Sequence, residues 1–459
     1  MKLCILTTLC AFTVVGGPLD SAWIKGTTDK NPLEYKTGEE MIFTFMPMDV
    51  GVDLPKGEYF MEWTRSGDDC VKENGKFPLE IGKPFVYRTK TDKPGFVRLF
   101  AHVVDKDGKL YNKVFTGDAS TPEGREAMNR FERMPKQVFC DAGAAANIKE
   151  LESHPEPKDF DEFWAKQYAR LDKIPLTAKR KVIENPVKGD KYRMEAVEIA
   201  CCGLRPVTGF MMTPPDASKT KQYPVFLQVF GYDGNINQHR PPLGSYWEGK
   251  IVLEINAHGM PLEEFGSTEV ERKQLWWYAG HKGGRTYAFN TKENEDPELA
   301  YFNGMVLRVK RALQFLKTLP EWNGRDIIVA GGSQGGLQTI WAAGCGEGVT
   351  EARSCIPWCA DMYTNSQRNN GQMASSGWYI PWTEAMGYYD AANFAKRIPK
   401  TCFTFVTRAG LGDYICPPTG VYKLWKNIPG NKRILWVQGS QHGYVPPEYP
   451  DRDTTWEEK

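Results

Sequence analysis

One serine in the chain sits where a hydroxyl becomes a nucleophile. Residues 331–336 read GGSQGG, behind an apolar run at 326–330 and ahead of a helix-forming stretch at 337–343. G-x-S-x-G between strand and helix is a nucleophile elbow, a sharp turn that lifts the serine, here Ser333, above the end of a sheet. Gly331 and Gly335 are then required because strand and helix backbones pass too close for a side chain. A serine hydroxyl also needs a base to take its proton, and the chain has only six histidines. Elbow hydrolases order their partners Ser, acid, His, with the histidine on a loop behind a late strand. His442, in GSQHGY behind 433–437, meets both conditions; His102, His154, His239, His258 and His281 do not. Asp413, behind 401–407 and 29 residues before His442, is the expected acid, with Asp361 and Asp390 as worse-placed rivals. Its role would be to hold the imidazole tautomer and stabilise the imidazolium.

Acyl transfer further needs donors for a tetrahedral oxyanion. One should be the backbone N–H of Gln334, the residue after the nucleophile; the other should come from a loop behind an earlier strand. The turn Gly231-Tyr232-Asp233-Gly234 follows the apolar run 223–230 and makes Tyr232 N–H the candidate.

The elements that must position these groups are legible as near-continuous apolar runs at 223–230, 251–255, 326–330, 401–407 and 433–437. Strands buried on both faces read this way, which predicts a mostly parallel sheet covered by helices. One covering helix is expected at 302–319, with Met305, Val309, Leu313 and Leu316 on one face. Another should start at Asp159 as N-cap and carry Phe160, Phe163, Trp164 and Leu171 at helical spacing. Ahead of these, residues 23–136 hold short alternating segments at 41–46, 58–64 and 96–104, with a hairpin signal at Asp107-Gly108. They predict a small immunoglobulin-like β-sandwich, in which Tyr59, Trp63 and Phe96 fit core positions better than a sugar-binding face. Trp276, Trp277 and Tyr278 form an aromatic cluster near the expected site; packing is the plainer reading of it, sugar stacking the sharper one.

At 459 residues the chain is too long for one typical domain, and 41% hydrophobic with 25% charged residues is an ordinary globular balance. A formal net charge of +1 supplies no long-range field for phosphate backbones, so nucleic acid is not an expected partner. Residues 3–15 (LCILTTLCAFTVV) behind Lys2 have the length of a secretory signal core and are too short for a membrane span. The expected organisation is a signal peptide at 1–17, a β-sandwich at 18–140 and an α/β-hydrolase domain at 141–459, in a secreted or periplasmic protein. The nine cysteines from Cys70 to Cys416 are scattered and without CxxC pairs, which points neither to a disulfide framework nor to zinc.

Four stretches together resemble a known family: GGSQGG at Ser333, GLGDYICPP at Asp413, GYDG at Tyr232 and PKDFDEFW at 157–164. They look like carbohydrate esterase family seven, the acetyl xylan esterases and cephalosporin C deacetylases. The resemblance spans about residues 145–447 and implies removal of acetyl groups from xylan or xylo-oligosaccharides, without metal or cofactor. Carried over, it assigns Ser333 as nucleophile, Asp413 and His442 as its partners, and the Tyr232 and Gln334 amides as oxyanion donors, the positions the spacing had reached. The chain departs from the family at Asn256-Ala257-His258-Gly259, where Arg-Gly-Gln-Gly is usual, at Gly443 where Glu is common, and at Thr419-Gly420 where Ser-Thr is usual. It also carries the extra β-domain. A homo-oligomer is left open. So is a feruloyl or other carboxylesterase, because an elbow does not fix the acyl group. A prolyl-oligopeptidase-like peptidase would need a longer N-terminal propeller, and a non-catalytic glycan-binding protein would not be expected to keep all three of Ser333, Asp413 and His442.

Overall fold

A computed structural model describes residues 23–48, 58–80, 82–113, 115, 118–133, 136–185, 189–203, 205–232, 248–280, 287–367, 378–444, 446 and 455–458. Residues 1–17, expected as a signal peptide, together with His239, His281 and the turn residues Asp233 and Gly234, lie outside them.

Among its described residues, the N-terminal region is all-β apart from one helix. Strands β1 (Trp23–Thr28), β2 (Met41–Met48) and β5 (Phe85–Thr89) form a sheet in the order β1-β2-β5. Strands β3 (Tyr59–Gly67), β4 (Glu73–Pro78), β6 (Gly95–Asp105) and β7 (Phe139–Ala146) form a second, in the order β4-β3-β6-β7. All pairings within both sheets are antiparallel. Alternation drives the arrangement: Met41, Phe43 and Phe45 of β2 are fully buried, and they share a core with Met61, Leu99, Ala101, Ala142 and Ala144 of the facing sheet. The expected hairpin forms behind β6, with Gly108 at φ 80° and Asp105 Oδ1 accepting from the Asp107 and Lys109 amides at 2.9 Å. Trp63 stacks on Phe85, Tyr59 meets Tyr111 edge-on, and Phe96 is fully buried. Helix α1 (Pro122–Arg133) is inserted between β6 and β7.

The second region is built on one ten-stranded sheet. Its parallel centre runs β12-β11-β13-β14-β15-β16, from β11 (Tyr223–Val229), β12 (Ile251–Ile255), β13 (Trp322–Gly332), β14 (Glu351–Cys355), β15 (Phe403–Gly410) and β16 (Lys432–Val437). Antiparallel strands extend it: β8 (Ala178–Ile183), β9 (Arg193–Ile199) and β10 (Val207–Thr213) on one edge, β17 (Thr455–Glu458) on the other. Among the described residues, the α-helices of this region are α2 (Phe160–Asp172), α3 (Glu269–Gly280), α4 (Tyr301–Leu316), α5 (Gln334–Gly344), α6 (Met362–Gln367), α7 (Ala391–Ala395) and α8 (Pro418–Asn427). The apolar stripe of α4 is buried against the sheet as expected, with Met305, Val309, Leu313 and Leu316 at 1% exposure or less. Helix α2 starts where expected, but Asp159 does not cap it with its side chain; the carboxylate instead accepts from Tyr388 Oη. This is the α/β-hydrolase fold preceded by a small immunoglobulin-like β-sandwich.

Candidate active site

β13 ends at Gly332 and α5 begins at Gln334, leaving a single residue to reverse the chain. That residue, Ser333, has φ 57° and ψ −116°, a backbone state disfavoured for an L-residue. The flanking glycines explain how so tight a turn fits. A Cβ at Gly331 would lie 2.4 Å from the Val229 carbonyl oxygen, and one at Gly335 would lie 2.6 Å from the same atom. The turn is held from outside: Ser333 N–H donates to Cys355 O at 2.9 Å, and Ser333 O accepts from Trp358 N–H at 3.0 Å.

The side chain of Ser333 faces His442, with Oγ 3.1 Å from Nε2. Nδ1 of the same ring is 3.0 Å from Asp413 Oδ2. Asp413 is fully buried, and its other oxygen accepts from the Ile415 and Cys416 amides, each at 2.8 Å. Those two donors fix the carboxylate's rotation and satisfy its buried charge, leaving one oxygen for the imidazole. Three strands deliver the three groups: β13 the serine, β15 the aspartate and β16 the histidine. They are neighbours in the order β13-β14-β15-β16, so their C-terminal ends converge.

The rivals sit elsewhere. Asp361 pairs with Lys423 Nζ at 2.5 Å in the interior. Asp390 accepts from the Asp361, Met362 and Ala392 amides and caps α7; burial and the nearby Asp361 charge push its carboxyl up. His102 faces Glu62 in the β-domain, and His154 stacks on Tyr363. His258 is buried against Tyr301 Oη at 2.8 Å, and burial together with Arg308 and Arg205 pushes its imidazole well below the usual range.

Tyr232 lies beside the elbow. A Cβ on the preceding Gly231 would sit 3.3 Å from Gly332 O and 3.9 Å from the Ser333 Cβ. The Tyr232 ring is walled by Tyr287, Trp358 and Trp378 at centroid distances of 4.8, 5.8 and 5.1 Å. Tyr287 and Trp358 were not singled out in the sequence. Tyr287 connects two residues that were: its ring stacks on Tyr232, and its hydroxyl donates to Gln334 Oε1. Trp276, Trp277 and Tyr278 lie in α3, with their side chains outside the described residues.

Among the described residues, one group has metal-ligand chemistry: donor atoms of Asp413, Cys416 and His442 within 4.8 Å of one another. The Cys416 thiol is pushed well up by burial and the Asp413 charge. Asp413 and His442 are already engaged with each other, and His442 with Ser333. The nine cysteines from Cys70 to Cys416 are all free.

A parallel sheet ending in this elbow, with an imidazole at the serine, is the frame of an α/β-hydrolase. Residues 146–375, half of the chain, match the acetyl xylan esterase (AXE1) family model, and the chain belongs to that family, which makes it a carboxylic ester hydrolase. It is 27% identical to the acetyl esterase Axe7A of Xylanibacter ruminicola over 427 residues, covering 89% of this chain and 84% of that one. It also resembles the solved structures of an acetyl xylan esterase from a Paenibacillus species and of acetyl xylan esterase 1 from a Thermoanaerobacterium species. Both give a TM-score of 0.53, at 20% and 19% identity, over 65% of this chain and 94% and 93% of theirs. No helix among the described residues is long and apolar enough to cross a membrane.

Proposed function

We propose that the protein removes O-acetyl groups from xylan or related acetylated oligosaccharides through a Ser333-His442-Asp413 triad. The reading is carried by one observation: His442 lies 3.1 Å from the elbow hydroxyl and 3.0 Å from a buried, doubly hydrogen-bonded carboxylate. His442 Nε2 takes the Ser333 proton as Oγ attacks the acetyl carbonyl. The resulting oxyanion is held by the Tyr232 and Gln334 amides, and the sugar oxygen leaves with the proton from His442. Water activated by the same imidazole then releases acetate from acetyl-Ser333. Asp413 keeps Nδ1–H directed at itself and stabilises the imidazolium without taking its proton. Tyr232 follows Gly231 at the elbow, and the rings of Tyr287, Trp358 and Trp378 packed around it favour a compact, apolar acyl group.

The same reading takes residues 1–17 as an export signal and the protein as secreted or periplasmic. It divides the remainder into a β-domain and a hydrolase domain, with the junction shifted from residue 140 to the end of β7 at Ala146, because β7 is one continuous strand. Acetate release from acetylated xylo-oligosaccharides, compared with other acetylated glycans and with feruloylated oligosaccharides, tests the substrate. Preference for the acetylated xylo-oligosaccharides is expected; equal or faster release of ferulate would assign the protein to feruloyl esterases instead.

A further inference from the structure

β7 reads FCDAGAAA, a run of small residues with one charge. Small side chains let its backbone touch the loop that carries Asp413. A Cβ at Gly143 would come 2.1 Å from Leu411 O, and one at Gly412 would come 2.2 Å from Asp141 O. Gln438, just behind β16 on the approach to His442, brackets the same strand. Its Oε1 accepts from Gly143 N–H at 2.7 Å and its Nε2 donates to Gly143 O at 2.8 Å. Thr419 Oγ1, six residues after Asp413, donates to Asp68 of the β-domain at 2.5 Å. The loops bearing both Asp413 and His442 are thus held from the β-domain side.

The charge on β7 is the unusual part. Asp141 is fully buried; its Oδ1 takes Arg98 Nε at 2.6 Å and Nη2 at 2.5 Å, while Oδ2 has no hydrogen-bond partner among the described residues. Burial, and then the Asp413 charge, push the Asp141 carboxyl up to about 6, against the pull of Arg98. The guanidinium of Arg98, from β6, lies over the rings of Phe100 and Tyr414 at 5.3 and 4.9 Å, and Tyr414 is the residue after Asp413. Two buried carboxylates that feel each other repel strongly in a low dielectric unless a cation compensates them. Arg98 is that cation, and its planar fork meets Asp141 while its face meets Tyr414.

We propose that Arg98 is a positioning residue for the Asp413 loop, compensating the buried Asp141 charge beside it and stacking on Tyr414, so that the β-domain is a structural half of the active site. This rests on the triad reading above. Arg98 then acts through Asp141 and Tyr414 to hold the acid in register with His442, and the β-domain owes its place in the chain to catalysis.

The test compares Arg98→Met, the double variant Arg98→Met/Asp141→Asn and Ser333→Ala by steady-state hydrolysis of p-nitrophenyl acetate in the full chain. Arg98→Met is expected to lower kcat about 10–100-fold, the scale of a sub-ångström to 1 Å misplacement, with KM within about twofold. The double variant, which removes the uncompensated charge, should recover at least about tenfold of that loss when Arg98→Met falls 100-fold, and most of it when the loss is smaller. Wild-type kcat in Arg98→Met, or a double variant no faster than the single, overturns the inference. Should Arg98→Met not fold, Arg98→Lys carries the test: the ammonium cannot both fork to Asp141 and stack on Tyr414, and kcat should fall about 5–20-fold at unchanged KM. Wild-type kcat there also overturns it. Activity surviving in Ser333→Ala would instead overturn the triad reading, which separates the two failures.

Discussion

The Tyr287 hydroxyl donates to the Gln334 side chain while the Tyr287 ring stacks on Tyr232 at 4.8 Å and 17°. One buried residue therefore ties together the two positions whose amides are proposed to hold the oxyanion. Tyr287→Phe keeps the stack and loses the bond; kcat should fall about tenfold with KM nearly unchanged, less than the 10²–10³ that follows loss of a donor itself. Tyr287→Leu, which loses both, should approach that larger figure. Steady-state kinetics on an acetyl ester distinguish the two variants, and identical losses would remove the bridging role.

Asp413→Asn should preserve the fold, because the remaining carbonyl can still accept from the Ile415 and Cys416 amides. It removes the anion that sets the His442 tautomer, and kcat should fall about 10⁴-fold. A loss below about tenfold, with unfolding unchanged, would mean that Asp413 is not the working acid.

Ser333 sits at φ 57° and ψ −116°, where a Cβ is strained. Such strain is worth about 1–3 kcal/mol, and glycine relieves it at an entropic penalty of about 0.5–1 kcal/mol. Ser333→Gly is therefore expected to be inactive yet more stable than wild type by about 1 kcal/mol in urea unfolding. A less stable variant would show that the elbow is not under strain.

His258 is buried and held neutral, far below its ordinary pKa of 6.5. The unfolded chain binds a proton below pH 6.5 that the folded chain does not, so stability from this residue is complete above that pH. It declines by about 1.4 kcal/mol per pH unit as pH falls toward the folded pKa. His258→Gln should flatten the fall in unfolding free energy between pH 6.5 and 5 by about that slope. An unchanged slope would mean that His258 becomes protonated in the folded state.

The elbow and its partners were legible because each signal is local. A strand, two obligatory glycines, a serine and a helix follow one another in 326–343, and six histidines leave few candidates for the base. The central parallel strands announced themselves as apolar runs. The edge strands did not: β8 reads AKRKVI with five of its six residues exposed, and without a second buried face no apolar run marks it. Tyr287 was hidden because its bond to Gln334 spans 47 residues and its own surroundings carry no periodicity. Arg98 and Asp141 were hidden for a different reason. Charged residues on strands ordinarily face water, and only the register, which sets Asp141 opposite Phe100 and Gly143 opposite Arg98, turns them into an ion pair with a buried carboxylate beside the acid loop. The departures from the family pattern acquire physical content in the same way. Thr419 reaches Asp68 of the β-domain, and a Cβ at Gly420 would lie 2.2 Å from Ala360 O.

The central claim is that Ser333 is the nucleophile, and hydrolysis of p-nitrophenyl acetate by Ser333→Ala tests it most directly. Turnover should drop by at least about 10⁴-fold while the thermal unfolding transition stays cooperative. Turnover within tenfold of wild type would contradict the mechanism.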